Sequence, residues 1–281
     1  EDGFVFQVID GIVRTTGTFT FTAGYALYAG SIFALTLSCW LRSDLTKLIG
    51  KKILILSSAA CIVLISVSGS RTVFFMASLI ILSVFFSALV VKNIKNKSKF
   101  ILIPLIAFIL SGLLFVFGFT GAFNAMLERQ ADAVVAEGST IERAFSSLYM
   151  FTDAIYRTPI LGYGIGYGTN GGTTNDTGSS FFRLAEDEWT RTYLELGPLF
   201  SIGYFSLRIL LVTYLALRAS EAARSVDDPL PLLLLGFIGI TLLNGQITNQ
   251  GTVNAYAWFF CGRCLATINS AKRLARKGHR Q

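Results

Sequence analysis

The chain has 281 residues, of which 53% are hydrophobic and 15% are charged, and its formal net charge is +7. A soluble domain of similar apolar content has about a quarter of its residues charged, so the composition argues against that class and indicates a membrane protein. The positive charge lies beside apolar runs, as in loops that flank membrane spans, so we expect no nucleic-acid partner.

Apolar runs follow one another along the chain. They cover 21–41, 53–67, 73–91, 100–123, 196–217, 230–248 and 256–268, and one bilayer span needs about 20 residues. We therefore predict an all-α, polytopic transmembrane bundle of about seven helices. The chain begins at Glu1 without a methionine or a signal-peptide pattern, so we expect a fragment or processed product with further helices upstream.

The longest polar interval divides the chain into three regions. We expect transmembrane helices, an outward Arg14 segment and a Ser68–Arg71 hinge in 1–123, and a periplasmic loop domain in 124–195. Transmembrane helices and a basic cytoplasmic tail then occupy 196–281. Within the loop domain, Ser139-Thr140-Ile141-Glu142 has the capping-box pattern, and apolar residues recur at helical spacing until Pro159.

The positive-inside rule gives these spans an orientation. Basic clusters in 42–52, 92–99 and 272–280 fall together on the cytoplasmic side. The N-terminal lead-in, the hinge at 68–72, the long interval and the loop at 244–250 then face outward. The basic residues on the outward side are all arginines: Arg14, Arg71, Arg129, Arg143, Arg157, Arg183 and Arg191.

An outer face with arginine and no lysine suits an anionic substrate. The planar guanidinium binds phosphate or carboxylate oxygens in pairs, so a diphosphate is the expected ligand. The alternative is that these arginines reach lipid headgroups or pair with outward carboxylates. Arg208 and Arg263 lie inside predicted spans, where a charge marks either a functional site or a structural ion pair.

Glu186, Asp187 and Glu188 form an acidic cluster beside Trp189 and Arg191. Neighbouring carboxylates raise one another's pKa and can supply a general base, so these three are the candidate catalytic residues. Trp189 offers a flat face for a sugar, or an anchor at the membrane border. The alternative is a set of solvated acidic residues on a loop.

Two further patterns do not predict a cofactor or metal site. Cys261 and Cys264 have the spacing of a metal or redox pair but lack a second pair and a nearby histidine, which favours buried apolar filler. The glycines from Gly162 to Gly172 have no strand before them, which argues against a nucleotide loop. We expect a close-packed loop whose backbone approaches a sugar or phosphate.

Several short motifs occur in a characteristic order. Arg14 precedes Gly17-Thr18-Phe19, and Ser68-Gly69-Ser70-Arg71 lies between paired apolar runs. Arg143 opens a helix that continues into Tyr156-Arg157-Thr158-Pro159-Ile160-Leu161-Gly162-Tyr163-Gly164, and Leu194-Glu195-Leu196-Gly197 enters the next run. In this order the chain resembles, from Arg14 to Leu217, the O-antigen ligase and O-antigen polymerase superfamily of bacterial polytopic inner-membrane glycosyltransferases.

The resemblance implies transfer of a glycan from an undecaprenyl-diphosphate carrier to an acceptor hydroxyl at the periplasmic face, without a metal or cofactor. The acceptor is a lipid A core sugar in ligases, a second carrier-linked repeat in polymerases, and a protein in a related branch. Arg71 and Arg143 match arginines that hold the diphosphate and neutralise its charge as it leaves. Arg14 and Arg191 extend this substrate-binding set. The implied partners are the carrier-linked glycan, an acceptor glycan or lipid, and membrane lipids.

One position departs from the ligase pattern. Many ligases place a histidine about nine residues before the glutamate of the Leu-Glu-Leu-Gly stretch, whereas this chain has Glu186 there and its single histidine is His279. Either Glu186 or a neighbouring carboxylate is the base, or the reaction is another of the family, such as polymerisation. A transporter or flippase for an anionic or glycolipid substrate, and a non-catalytic envelope subunit, are the alternatives outside the family.

Overall fold

A computed structural model of the chain describes residues 7–9, 12–13, 15–91, 97–121, 123–124, 127, 158–167 and 188–278. These residues are helical apart from loops, turns and an antiparallel ribbon of β1, Gln7–Ile9, and β2, Ile12–Val13. The helices are α1, Thr22–Leu41; α2, Ser43–Ile49; α3, Lys51–Val67; α4, Arg71–Val90; α5, Lys97–Gly118; α6, Glu188–Val226; α7, Leu230–Asn244; and α8, Gly251–Gly278. At this level the all-α prediction is confirmed.

Four helices are long and apolar enough to cross a membrane. They are α1, α4, the Phe100–Gly118 part of α5, and α6. Helix α3 has 17 residues and α7 has 15, against about 20 for an upright span. The lengths of the apolar helices among the described residues therefore indicate a membrane protein. The total of about seven spans stays a prediction.

Large apolar side chains point outward from these helices. Leu56 is 72% exposed, Leu89 83% and Phe117 76%. A helix with apolar residues on every side belongs either in a protein core or in a bilayer. Because these side chains lie outside the packed interior, lipid is the environment that suits them.

The chain divides into two compact units. The first comprises Glu1–Ala131, Tyr214–Ile240 and Ala255–Gln281, and the second comprises Asp132–Thr213 and Thr241–Asn254. Residues 196–281 are thus shared between the two units. The cause lies inside the second unit, where Arg208 and Glu188 of α6 hydrogen-bond to residues 241–248.

In the first unit α1 is the most buried of the membrane-long helices and packs against α3 and α4. Its middle is lined by small or fully buried side chains, among them Leu27, Ala34 and Leu37. Gly30 lies against the ring of Phe237 in α7, where a Cβ would be 3.0 Å from the ring. Small residues let membrane helices approach closely, and van der Waals packing then stabilises the contact.

The same principle operates between α4 and α7. A Cβ built at Gly236 of α7 would lie 2.5 Å from the Cβ and Oγ atoms of Ser83 in α4. The hydroxyl of Ser83 is itself held by a hydrogen bond to the carbonyl of Ile80, at 2.6 Å. The two helices therefore meet where both carry small side chains.

Hydrogen bonds place the loops of the first unit at two opposite ends. Thr15 donates to the carbonyl of Val67 at 3.0 Å, so the N-terminal segment lies beside the end of α3. At the other end of α1, Arg42 is 2.9 Å from the carboxylate of Asp228, just before α7. Because the 20 residues of α1 extend about 30 Å, these groups lie one membrane thickness apart. The predicted outward segments at 15–20 and 68–72 share one end, as that topology requires.

We predict that Gly236→Ala destabilises the protein by about 1–3 kcal/mol, because the added methyl group overfills the contact with Ser83. Thermal unfolding of the purified protein in detergent measures this as a lower midpoint. Combining Gly236→Ala with Ser83→Gly restores the space and should recover most of the loss. The matched control is Gly239→Ala on the same helix, whose Cβ would meet only Leu235, at an ordinary 3.5 Å. Equal midpoints for the two single variants would contradict this packing.

Candidate functional site

The predicted site residues fall into three groups. Arg14, Arg143, Glu186 and Asp187 lie outside the residues whose side chains the structure describes. Arg71 is the first residue of α4, in the first unit. Glu188, Trp189 and Arg191 occupy the first turn of α6, in the second unit.

Helix α6 begins earlier than predicted. The sequence placed 185–195 in a polar loop ahead of a span at 196, but the helix starts at Glu188. Glu188 is 2% exposed, so the reading of this residue as a solvated loop carboxylate is wrong. The physical reason is pairing, because every charged side chain of this turn finds an opposite charge or a hydroxyl inside the unit.

A backbone contact interrupts α6 at Gly197. This residue has φ 68° and ψ 173°, a conformation open mainly to glycine, and Pro198 follows it. Gly162, at φ 73°, packs directly against the break: a Cβ there would lie 2.3 Å from the carbonyl oxygen of Glu195. A Cβ on Gly197 would in turn lie 2.3 Å from the amide nitrogen of Gly162. Neither position has room for a side chain.

The segment 160–164 supplies the hydrogen bonds that the broken helix lacks. The amide of Tyr163 donates to the carbonyl of Leu194 at 2.9 Å, and the amide of Gly164 donates to that of Glu195 at 3.0 Å. Carbonyls at the end of a helical segment have no helical partner and need another donor. The glycine-containing backbone of this segment thus packs closely on the helix, while its approach to a sugar or phosphate stays a prediction.

Arg208 joins α6 to the end of α7. Its Nε donates to the carbonyl of Leu242 at 2.7 Å, and its Nη2 donates to those of Thr241 and Gly245 at 3.1 and 2.8 Å. Its Nη1 lies 3.4 Å from both Glu188 Oε1 and the Tyr204 hydroxyl. Five acceptors match the five N–H groups of a guanidinium, so these contacts favour the structural ion pair over a substrate-binding role.

The carboxylate of Glu188 gathers three donors on one oxygen. Besides Arg208, both the amide and the hydroxyl of Thr248 donate to Oε1, each at 3.0 Å. The side chain of Glu188 has no exposed surface, and that of Arg208 is 3% exposed. Two charges removed from water in this way are tolerated only when paired and hydrogen-bonded.

Arg191 completes the buried charge cluster of the second unit. Its Nε donates to Glu195 Oε1 at 3.0 Å, one helical turn later, and its Nη2 donates to the hydroxyl of Thr248 at 3.3 Å. Glu188, Arg191, Glu195 and Arg208 balance to zero net charge. The sequence reasoning missed Glu195 and Thr248 as partners. The i,i+4 spacing of Arg191 and Glu195 was the available signal.

Trp189 is packed into the protein. It is 8% exposed and stacks on Phe205, with ring centroids 4.4 Å apart and an interplanar angle of 21°. Tyr193 belongs to the same apolar cluster. The indole ring therefore has little surface left for the sugar contact that the sequence suggested.

Arg71 has a different setting at its end of the first unit. Its side chain is exposed at the first position of the membrane-long helix α4. The preceding Ser70 makes no side-chain hydrogen bond to the helix start, although its amide donates to the Ser68 hydroxyl at 3.3 Å. Among the described residues the ion pairs involve other arginines. A free guanidinium beside the partial positive charge of a helix N-terminus attracts anions.

The remaining candidate residues, Arg263, Cys261 and Cys264, differ in burial. Arg263 is exposed on α8, and no ion pair joins it to another described residue. Cys261 and Cys264 are buried free thiols, which favours a packing role. The thiol of Cys264 donates a weak hydrogen bond to the carbonyl of Pro231 at 3.5 Å. The described residues contain no group of three or more histidine, cysteine or acidic side chains suited to a metal ion.

Comparisons of the chain with protein-family models, with curated proteins and with solved structures find no match.

We predict that Gly162→Ala and Gly197→Ala each destabilise the protein by roughly 3 kcal/mol or more, since strain at positive φ adds to a backbone clash. Unfolding in detergent and the level of folded protein in membranes are the measurements. Gly164→Ala separates the two causes, because this glycine has φ +102° but no neighbour within 4 Å of its Cβ. Gly203→Ala, in open helix, is the neutral control. A Gly197→Ala variant as stable as Gly203→Ala would rule out the contact.

We expect Arg208→Met to lower the free energy of unfolding by about 3–5 kcal/mol, because it leaves the buried carboxylate of Glu188 without its counter-charge. Adding Glu188→Gln removes the unpaired charge and should recover part of the lost stability. The recovery stays incomplete because the carbonyls of Thr241, Leu242 and Gly245 still lack the donors that Arg208 supplied. Arg218→Met on the same helix is the control, since Arg218 pairs with Glu221 at an exposed position. The double variant being no more stable than Arg208→Met would argue against the pair.

Proposed function

We propose that this protein is a bacterial inner-membrane glycosyltransferase of the O-antigen ligase or polymerase type. It transfers a glycan from an undecaprenyl-diphosphate carrier to an acceptor hydroxyl at the periplasmic face. The observation that carries the proposal is the exposed guanidinium of Arg71 at the start of a membrane-long helix.

The setting of Arg71 suits a lipid-linked diphosphate. The headgroup of such a lipid lies at the membrane border, where the polar turn 68–70 enters α4. A guanidinium binds two phosphate oxygens at once, and the amide groups of a helix start add partial positive charge. As the bond between sugar and diphosphate breaks, negative charge grows on the diphosphate, and fixed positive groups there lower the barrier.

The orientation completes the proposal. In the seven-span topology α3, α7 and the apolar part of α8 also cross the membrane, and the lysine-bearing loops stay in the cytoplasm. Arg71 and the segment at 15–20 then face the periplasm, with 124–195 forming a periplasmic domain. The family resemblance adds Arg14 and Arg143 as candidate residues for the diphosphate, and Glu186 or Asp187 as the candidate base for the acceptor hydroxyl.

A transporter for a glycolipid or another anion is the second candidate. The observation in its favour is the set of four charged side chains buried on α6, because ionisable groups inside membrane helices frequently line substrate or proton pathways. In the described contacts, however, Arg208 is fully satisfied by protein acceptors, as a structural pair requires.

We expect Arg71→Ala to reduce glycan transfer by about 10²-fold or more, the usual effect of removing one group that stabilises transition-state charge. Arg71→Lys keeps the charge but loses the paired geometry and should retain an intermediate activity. The measurement is surface glycan on a gel in a strain that lacks the parent protein, at matched membrane levels.

Arg224→Ala is the matched control, since Arg224 is an exposed arginine near the other end of a helix. The carrier-linked precursor should accumulate in Arg71→Ala on the periplasmic leaflet. Accumulation on the cytoplasmic leaflet would instead establish the transporter. Normal glycan in Arg71→Ala would eliminate the proposed diphosphate site.

A further inference from the structure

The first turn of α6 carries buried polar atoms that lack a partner among the described residues. They include Glu188 Oε2 and Arg191 Nη1, and Asn244 Oδ1 at the end of α7 is a third. Buried polar atoms in native proteins are almost always hydrogen-bonded, so an unpaired donor and an unpaired acceptor in one cluster require an explanation. Both side chains are more than nine-tenths buried.

The contacts of these two residues bring them to the same hydroxyl group. Glu188 and Arg191 are three positions apart on α6 and therefore lie on one face of the helix. Glu188 Oε1 accepts a hydrogen bond from Thr248 Oγ1 at 3.0 Å, and Arg191 Nη2 donates to that same oxygen at 3.3 Å. Nevertheless, Glu188 pairs with Arg208, and Arg191 pairs with Glu195, so the two groups form no ion pair with each other.

The chemistry of the two free atoms defines the ligand that suits them. A carboxylate oxygen accepts a hydrogen bond, and a guanidinium nitrogen donates one. A cation would be repelled by Arg191, and an anion by Glu188, while the four charges of the cluster already cancel. A hydroxyl group is the smallest neutral group that both donates and accepts through a single oxygen.

We propose that Glu188 Oε2 and Arg191 Nη1 bind one hydroxyl group inside the second unit, donating its hydrogen to Glu188 and accepting from Arg191. Two sources have this chemistry: an internal water molecule, and a hydroxyl of the acceptor sugar. The second source rests on the proposed function, whereas the first does not. An internal water molecule is sufficient to satisfy both buried atoms, because enclosed waters usually bridge otherwise unpaired polar groups.

The test is a structure of the full-length protein at a resolution that shows ordered water, determined alone and with glucose as a hydroxyl-bearing probe. An oxygen within hydrogen-bond distance of both atoms in the protein alone identifies water. A peak that appears only with glucose, continuous with a sugar ring, identifies the sugar hydroxyl. Direct protein partners for both atoms, or no peak under either condition, would overturn the proposal.

Arg191→Met provides the specific check, because it removes Nη1 while leaving Glu188 and its three donors in place. The peak beside Glu188 should be lost in this variant and retained in Arg218→Met, which changes an exposed arginine of the same helix. A peak that persists in Arg191→Met would show that Arg191 is not a ligand. Because this readout is density at one position, its failure is distinguishable from normal glycan in Arg71→Ala, which bears only on the transferase.

Discussion

The break in α6 at Gly197 leaves the carbonyls of Leu194 and Glu195 without helical donors, in a helix apolar enough to cross a membrane. Backbone carbonyls without a helical donor need another donor, and here the protein itself supplies it. The segment 160–164 does so here through the amides of Tyr163 and Gly164. That requirement explains why Gly162 and Gly197, both at positive φ, face each other across the contact, and why a glycine-containing segment packs on an apolar helix.

The same requirement accounts for the arginine at the end of α7. The last carbonyls of any helix lack partners, and three carbonyls from Thr241 to Gly245 receive the N–H groups of Arg208. Because its N–H groups are taken by these carbonyls, Arg208 is not free to bind a substrate, although its position within a predicted span had made it a candidate functional residue. Its buried counter-charge, Glu188, then draws Thr248 into the cluster. One constraint on backbone groups thus organises most of the polar interior of the second unit.

Hydropathy was sufficient to find the long apolar helices of the first unit, although it placed α2, Ser43–Ile49, in a loop. The predicted run 21–41 corresponds to α1, Thr22–Leu41, and the run 73–91 corresponds to α4, Arg71–Val90, because apolar length alone defines such elements. It could not find the start of α6, since Glu188, Arg191 and Glu195 have the composition of a loop and become helical through partners 4–60 residues away. Nor could spacing reveal that Gly162 and Gly197 touch. The diphosphate site at Arg71 and the catalytic carboxylates stay predictions.

The second unit is assembled from two stretches of chain, and that has a consequence for how the protein is made. Three carbonyl acceptors of Arg208 lie 33 to 37 residues further along the chain, so they are synthesised after α6 has left the ribosome. Until α7 follows, Arg208 has only Glu188 and Tyr204 of its own helix as partners, and three of its N–H groups lack their carbonyl acceptors. Arg208 is therefore fully hydrogen-bonded only once residues 241–248 have been synthesised, so the pairing with the end of α7 is what completes the folding of α6.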